Sequence, residues 1–430
     1  MGLTRTLRIA GSTAAVGALL FATATTASAD QVRSDQWPLQ ALDAEAVWKI
    51  ATGKGVTVAV IDDGVDASHR DLKGNVLPGK DFIDGDSDAS PAAGDSHGTA
   101  MAGVIAGHGH GVNGSDGVKG LAPDAKILPL RDNGGQSDGF ASSIRYAVDH
   151  GASVINISQG GSLPTAGGEE QQAIRYALQH NAIVVAGSGN EGKSGTEAVS
   201  YPASYPGVVN VGAVKDSKEI WEKSNSGANL LLTAPGYRVV SAGTDSDGYR
   251  MGTGTSDSAA YVSAACALLH EKFPDLTAGQ IVNRLTKTAG LPASAKGLNL
   301  PDEKYGYGYI QPLAALQQNI PAGSKNGPLT MPSSNSQATP EDNTAASSAS
   351  DDSSSGLTTN SVIALSTLAA LGVLIVIGVA LFLVRRAKRR RAAEQSQFNQ
   401  QSGYGSYPPN SYPGSAPYQQ QPPSDRYPHQ

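Results

Sequence analysis

Residues 140–186 read FASSIRYAVDHGASVINISQGGSLPTAGGEEQQAIRYALQHNAIVVA, and their pattern decides the fold. Residues 140–150 and 170–179 are amphipathic and read as helices. Residues 153–157 (SVINI) and 183–186 (IVVA) are short apolar runs that read as strands buried on both faces. Upstream, residues 56–61 (VTVAVI) and 126–130 (KILPL) have the same character. Strands alternating with helices predict an α/β fold: an open parallel sheet with helices on both faces. In such sheets functional groups collect beyond the carboxyl ends of the strands, so the residues that follow each strand carry the functional reading.

The whole chain has 430 residues, enough for one large domain with appendages. Its net charge of −6 excludes a basic, nucleic-acid-binding surface. Cys266 is the single cysteine, so neither an intramolecular disulfide nor a cysteine-based metal site is available.

The ends read as targeting segments. Residues 1–29 have a positive start, an alanine-rich apolar run and Ala27-Ser28-Ala29, the pattern of a cleaved signal peptide. Residues 321–360 are rich in Ser, Pro, Asn, Asp and Thr and read as a disordered linker. Residues 361–384 contain LAALGVLIVIGVALFLV, long and apolar enough for one transmembrane helix. Residues 385–430 begin with a basic cluster that places the end of the span in the cytoplasm and continue as a disordered Tyr/Pro/Gln-rich tail. Residues 30–320 remain as one folded domain, expected outside the cell and held to the cell membrane by a single pass.

Four short stretches carry candidate chemistry. Asp62 and Asp63 end the first strand before Gly64, which reads equally as a carboxylate aimed into a crevice or as an Asx turn. His97 is the one histidine of eight at a glycine-flanked helix start, where the helix dipole disfavours an imidazolium. Asn190 lies in the glycine-rich turn Gly187-Ser188-Gly189-Asn190, and turn chemistry alone would also explain it. Ser256 follows Gly254-Thr255 at a helix start, where it is either a cap or a nucleophile next to N–H groups that favour negative charge.

Taken in order, these stretches resemble the subtilisin-like serine proteases, the subtilases. VAVIDDGVD (58–66) is similar to the family's aspartate motif, HGTAMAGVIAG (97–107) to its histidine motif, and GTSDSAAYVSAACALL (254–269) to its serine motif. VVAGSGNEG (184–192) is similar to the segment with the oxyanion asparagine. GVKGLAPDAKILPLR (117–131) and SVINISQGG (153–161) fall in the family's strand order. Asp, His and Ser in that chain order match the family's triad.

The resemblance implies a subtilisin-like fold and a serine endopeptidase without a cofactor. It implies Ser256 as nucleophile, His97 as general base and Asp62 as its orienting carboxylate. Asn190 and the Ser256 N–H would form the oxyanion hole. Ser158, Gln159 and Gly160 would pair with the substrate backbone, and Gly187, Ser188 and Gly189 would wall a pocket. Asp63 departs from the family's Ser or Thr and is expected on the opposite side of the chain. Asp257 replaces an apolar residue, and Ala260-Tyr261 replace a frequent Pro-His. Calcium is a family trait, but Asp84-Gly85-Asp86-Ser87-Asp88 lacks the rest of a binding loop and reads as a solvated acidic loop, so no metal site is assigned.

The short N-terminus with no room for a long propeptide, the stalk, the single span and the basic flank are similar to the mycosins, the membrane-anchored subtilases of type VII secretion. The absence of disulfides and the long tail depart from them. The partners implied are a polypeptide substrate, the membrane and type VII secretion components. The competing reading is a scaffolding subunit of a membrane secretion complex that keeps a dispensable triad.

Overall fold

In the computed structural model, residues 31–161, 163–165 and 168–332 are described. The expected signal peptide, most of the stalk, the transmembrane span and the cytoplasmic tail lie outside the described residues. Among those residues no helix is long and apolar enough to cross a membrane.

The central sheet has seven parallel strands in the order β2-β5-β1-β6-β7-β8-β9. They are β1 (Thr57–Asp62), β2 (Lys80–Asp81), β5 (Lys126–Arg131), β6 (Val154–Ile157), β7 (Ile183–Gly187), β8 (Val208–Val214) and β9 (Leu232–Pro235). Two small hairpins lie outside this sheet, β3 (His108–His110) with β4 (Asp116–Lys119) and β10 (Val239–Ala242) with β11 (Tyr249–Gly252). The strands read from apolar runs are those at the sheet centre, where helices cover both faces.

Side-chain alternation sorts the core into two layers. Val58, Val60, Val154, Ile183 and Val185 face one way and pack against helices His97–Ala106 and Thr255–Lys272. Ala59, Ile61, Ile155, Ile157, Val184 and Ala186 face the other way, onto helices Ala141–Asp149 and Glu169–Gln179. The same parity puts Asp62 on the side of the histidine and serine helices. Helix Thr255–Lys272 is buried along its first four turns, from Thr255 through Leu269, which explains its small residues and weak amphipathicity.

After β1 the chain moves to one side of it, to β2 and β5, and then crosses to β6 on the other. The carboxyl ends of β1 and β6 therefore flank the point where strand order reverses, the place where a crevice opens in such sheets.

The composition of residues 321–332 suggested the start of a stalk. Instead this segment returns to the domain. Leu329 is buried in the core, Thr277 Oγ1 donates to the Lys325 carbonyl at 2.6 Å, and Asn283 Nδ2 donates to the Pro321 carbonyl at 3.2 Å. One apolar residue that finds a pocket outweighs the polar composition around it, so the fold continues past residue 320, at least as far as Leu329.

Candidate active site

Asp62 is the last residue of β1 and is fully buried. Its carboxylate accepts from His97 Nδ1 at 2.8 and 3.0 Å. His97 opens its helix, and that helix can approach β1 because residue 98 is glycine. A Cβ on Gly98 would lie 2.3 Å from the Gly64 carbonyl oxygen and 2.9 Å from Asp62 Cβ.

Asp63 does not point to the opposite side of the chain. Its carboxylate accepts from the His97 and Gly98 backbone N–H groups at 3.1 and 2.7 Å. Ser96, next to the helix, makes no side-chain cap bond. Asp63 therefore satisfies N–H groups that the helix leaves orphaned, from a neighbouring loop. Burial, then the charge of Asp62, raises the Asp63 pKa from its ordinary value. The sequence signal was the doubled Asp itself; its partner lay 34 positions on, where local cap rules do not look.

Ser256 sits in the first turn of its helix and is 8% exposed. Among the described residues, its Oγ makes one hydrogen bond, donating to the Ser158 carbonyl at 3.1 Å. Ser158 Oγ donates in return to the Ser256 carbonyl at 3.3 Å. Next to it, Gln159 Nε2 donates to Asp62 Oδ1 at 3.2 Å. The segment after β6 thus ties the serine to the aspartate–histidine pair. Asn156 supports it from within β6, donating to Ser158 Oγ at 2.9 Å and accepting from Ser263 of the serine helix at 3.0 Å.

Asn190 follows β7. Its Oδ1 accepts from the Thr255 backbone N–H at 2.9 Å and from Thr255 Oγ1 at 3.1 Å. A backbone N–H cannot accept, so these bonds fix which end of the amide is oxygen and leave Nδ2 as a free donor. Thr255 Oγ1 also takes the Gly189 N–H at 3.1 Å. A Cβ on Gly187 would come within 2.8 Å of Thr255 Oγ1.

The two segments expected to bind substrate differ in their surroundings. Gly160 lies beside Tyr201, and its neighbour Gly161 makes two backbone hydrogen bonds with Tyr201 at 2.8 and 2.9 Å. Ser188, by contrast, is 3% exposed and its hydroxyl turns to the Asn225 carbonyl at 3.0 Å. It lines an open pocket of about 290 Å³ with Thr196, Asn210 and Asn225.

Electrostatically the site is acidic. Burial disfavours an imidazolium at His97, but the charge and hydrogen bond of Asp62, followed by the charge of Asp257, raise its pKa to about 9. Burial pushes Asp257 up to about 6, against the pull of His97 and Arg250. In the acidic loop, Arg131 binds both Asp81 and Asp84, and no group of three or more His, Cys, Asp or Glu among the described residues is placed to hold a metal. A second carboxylate–imidazole pair, Asp71 with His110 at 2.6 Å, lies at the β3–β4 hairpin, where Asp71 also accepts the Val118 N–H at 2.8 Å. That pair braces the hairpin.

A profile of the subtilase family (peptidase S8) matches residues 53–308, more than half of the chain. The chain belongs to the subtilase family. This subtilase is 37% identical to subtilisin DY of Bacillus licheniformis over 271 residues, 62% of this chain and 92% of that one. It is 37% identical to thermitase of Thermoactinomyces vulgaris over 240 residues, covering 55% and 82% of the two chains. Among solved structures, MycP1 from Mycobacterium smegmatis aligns with a TM-score of 0.59 at 32% identity over 68% of this chain and 87% of that one. The MycP3 protease from the type VII (ESX-3) secretion system aligns with a TM-score of 0.56 at 32% identity, covering 66% and 88%. The family and these relatives make the present subtilase a serine endopeptidase of mycosin-like fold.

Proposed function

We propose that this subtilase is exported, held at the cell membrane by one C-terminal helix with its tail in the cytoplasm, and cleaves polypeptides through an acyl-enzyme on Ser256. The observation that carries the chemistry is the hydrogen bond of 2.8 Å between buried Asp62 and His97 Nδ1, on the same side of the sheet as Ser256. With Nδ1 engaged, neutral His97 presents an unprotonated Nε2. As Ser256 Oγ leaves the Ser158 carbonyl and attacks the scissile carbonyl, its proton passes to that nitrogen. Asp62 stabilises the imidazolium that forms, and His97 then protonates the leaving amine. The Ser256 N–H and Asn190 Nδ2 supply the oxyanion hole, with Thr255 holding the Asn190 amide in orientation. Water repeats the sequence to release the acyl group. The backbone of residues 158–160 pairs with the substrate chain, and no cofactor takes part.

The mycosin role rests on the likeness to MycP1 and MycP3 together with the expected stalk and span. MycP1 is described as an essential component of the type VII (ESX-1) secretion system. By that likeness the present subtilase works beside a type VII secretion channel.

The direct test compares wild type with Ser256→Ala on an unfolded protein substrate and with a fluorophosphonate probe. Wild type cleaves and labels, the variant does neither, and His97→Ala loses labelling. Equal hydrolysis by wild type and Ser256→Ala refutes the reading. Full rescue of secretion in a null strain by Ser256→Ala would assign the essential role to scaffolding instead.

A further inference from the structure

The mechanism above gives Asp62 one partner, His97, but its carboxylate has others. It is fully buried, and a buried charge is costly unless hydrogen bonds replace the lost water. Its Oδ1 accepts from His97 Nδ1 at 2.8 Å, from the Asp63 backbone N–H at 2.8 Å and from Gln159 Nε2 at 3.2 Å. Its Oδ2 accepts from His97 Nδ1 at 3.0 Å. The need for donors is sharpened by the second carboxylate alongside. The Asp63 side chain is turned to the His97 and Gly98 N–H groups, so Asp63 lends Asp62 a backbone donor and adds a negative charge next to it.

Among the described residues, Gln159 is the one side chain besides His97 that reaches the Asp62 carboxylate. It is half-buried and directly follows Ser158, whose carbonyl takes the Ser256 hydroxyl at 3.1 Å. One peptide segment therefore holds the nucleophile through its main chain and the orienting carboxylate through a side chain. His97 Nδ1 is shared between the two carboxylate oxygens, and a carboxylate held by that bond alone is free to turn about Cβ–Cγ. The Asp63 N–H and the Gln159 amide both grip Oδ1, which fixes the plane presented to the imidazole.

We propose that Gln159 is a positioning residue for the reaction: its amide sets the Asp62 carboxylate against His97 and ties that orientation to the segment that pairs with the substrate backbone. This rests on the triad reading above. Gln159 touches no reacting atom and acts through Asp62. Removing its donor has two effects. The carboxylate loosens, so His97 is less well directed and kcat falls. The negative charge of Asp62 is also less compensated, so it stabilises the imidazolium more strongly and the base becomes available only at higher pH. The other charges around the pair are Asp63 at the end of β1, Asp257 of the serine helix and Arg250 of β11, and the substitution removes none of them. The main chain of residues 158–160 is retained, so substrate pairing is retained too.

The test measures kcat and KM separately on a chromogenic peptide, from pH 5.5 to 10.5, for wild type, Gln159→Met, Gln159→Asn and Ser256→Ala. Gln159→Met keeps the length of the side chain and removes the donor. Gln159→Asn keeps the amide and shortens its reach, and it serves as the second arm if Gln159→Met folds poorly. Each is expected to lower kcat about tenfold, to leave KM within about twofold and to move the acid limb of kcat/KM to higher pH. Wild-type kcat and an unmoved acid limb in both variants overturn the proposal. So does a rise in KM at unchanged kcat, the mark of a side chain that merely shapes the substrate segment. A loss of kcat that is uniform across the pH range overturns it as well, because a purely structural role would produce that. Ser256→Ala stays inactive in every case; cleavage by that variant would refute the triad reading itself, a separate failure.

Discussion

Gly98→Ala tests how closely the histidine helix must sit on β1. The added methyl carbon would start 2.3 Å from the Gly64 carbonyl oxygen and 2.9 Å from Asp62 Cβ. A carbon and a carbonyl oxygen rest about 3.3 Å apart or more, so the helix start must retreat by ~1 Å. Nothing nearby can absorb this cheaply, since the obstacle is backbone. His97 moves with the helix, and its bond to Asp62, now 2.8 Å, is pulled beyond hydrogen-bonding length. The Gly98 N–H bond to Asp63, now 2.7 Å, weakens as well. Overpacking of this kind costs about 1–3 kcal/mol of stability, and displacing a catalytic group by 1 Å costs about 10²-fold in rate. The assay is kcat/KM on a chromogenic peptide together with denaturant unfolding. The variant is expected to fold, to be destabilised within that range, and to lose about two orders of magnitude in kcat/KM. Asp63→Asn, which weakens only the cap, is expected to cost about 0.5–2 kcal/mol with a smaller loss of rate. Wild-type activity and stability in Gly98→Ala would refute the close-packing argument.

Three further outcomes follow from the same geometry. Asn156→Ala leaves the buried Ser263 hydroxyl without its acceptor and frees Ser158, and is expected to lower unfolding free energy by about 1–3 kcal/mol in denaturant titrations. Thr255→Val removes the hydroxyl that holds Asn190 Oδ1 at 3.1 Å, and should lower kcat about tenfold with little change in KM, as expected for a contact made chiefly in the transition state. His270, whose buried Nε2 has no hydrogen-bond partner among the described residues, is depressed by burial to about 4. The stability tied to its neutral form is present above its unfolded value of about 6.5 and is lost as pH falls toward 4. His270→Phe should therefore gain melting temperature relative to wild type between pH 7 and pH 4.5, in calorimetry at matched ionic strength, and a constant difference across that range would contradict the assignment.

Some of this was legible from short runs of residues. Residues 56–61, 126–130, 153–157 and 183–186 read as strands because burial on both faces leaves little room for polar residues, and β1, β5, β6 and β7 lie there within a residue or so. β8, which was not read, is buried throughout, yet Asn210 and Gly212 interrupt its apolar run. Asp62, His97 and Ser256 stood out because each ends a strand or lies at a helix start beside glycines, and Asn190 because it lies in the glycine-rich turn after a strand; element ends are where local patterns are most specific.

What local sequence determined, then, was which residues stand at the ends of strands and helices, since backbone propensity and burial pattern act over a few positions. Which of those ends meet was a tertiary decision. Asp63 caps a helix that begins 34 residues later, Gln159 donates to Asp62 from the segment after a different strand, and Leu329 drew a polar, stalk-like segment back onto the core. Asp257 acquires its electrostatic partners from three other elements. Hydrogen bonds and fields act through space, over a few ångströms, and only the order of strands in the sheet brings distant positions within that range.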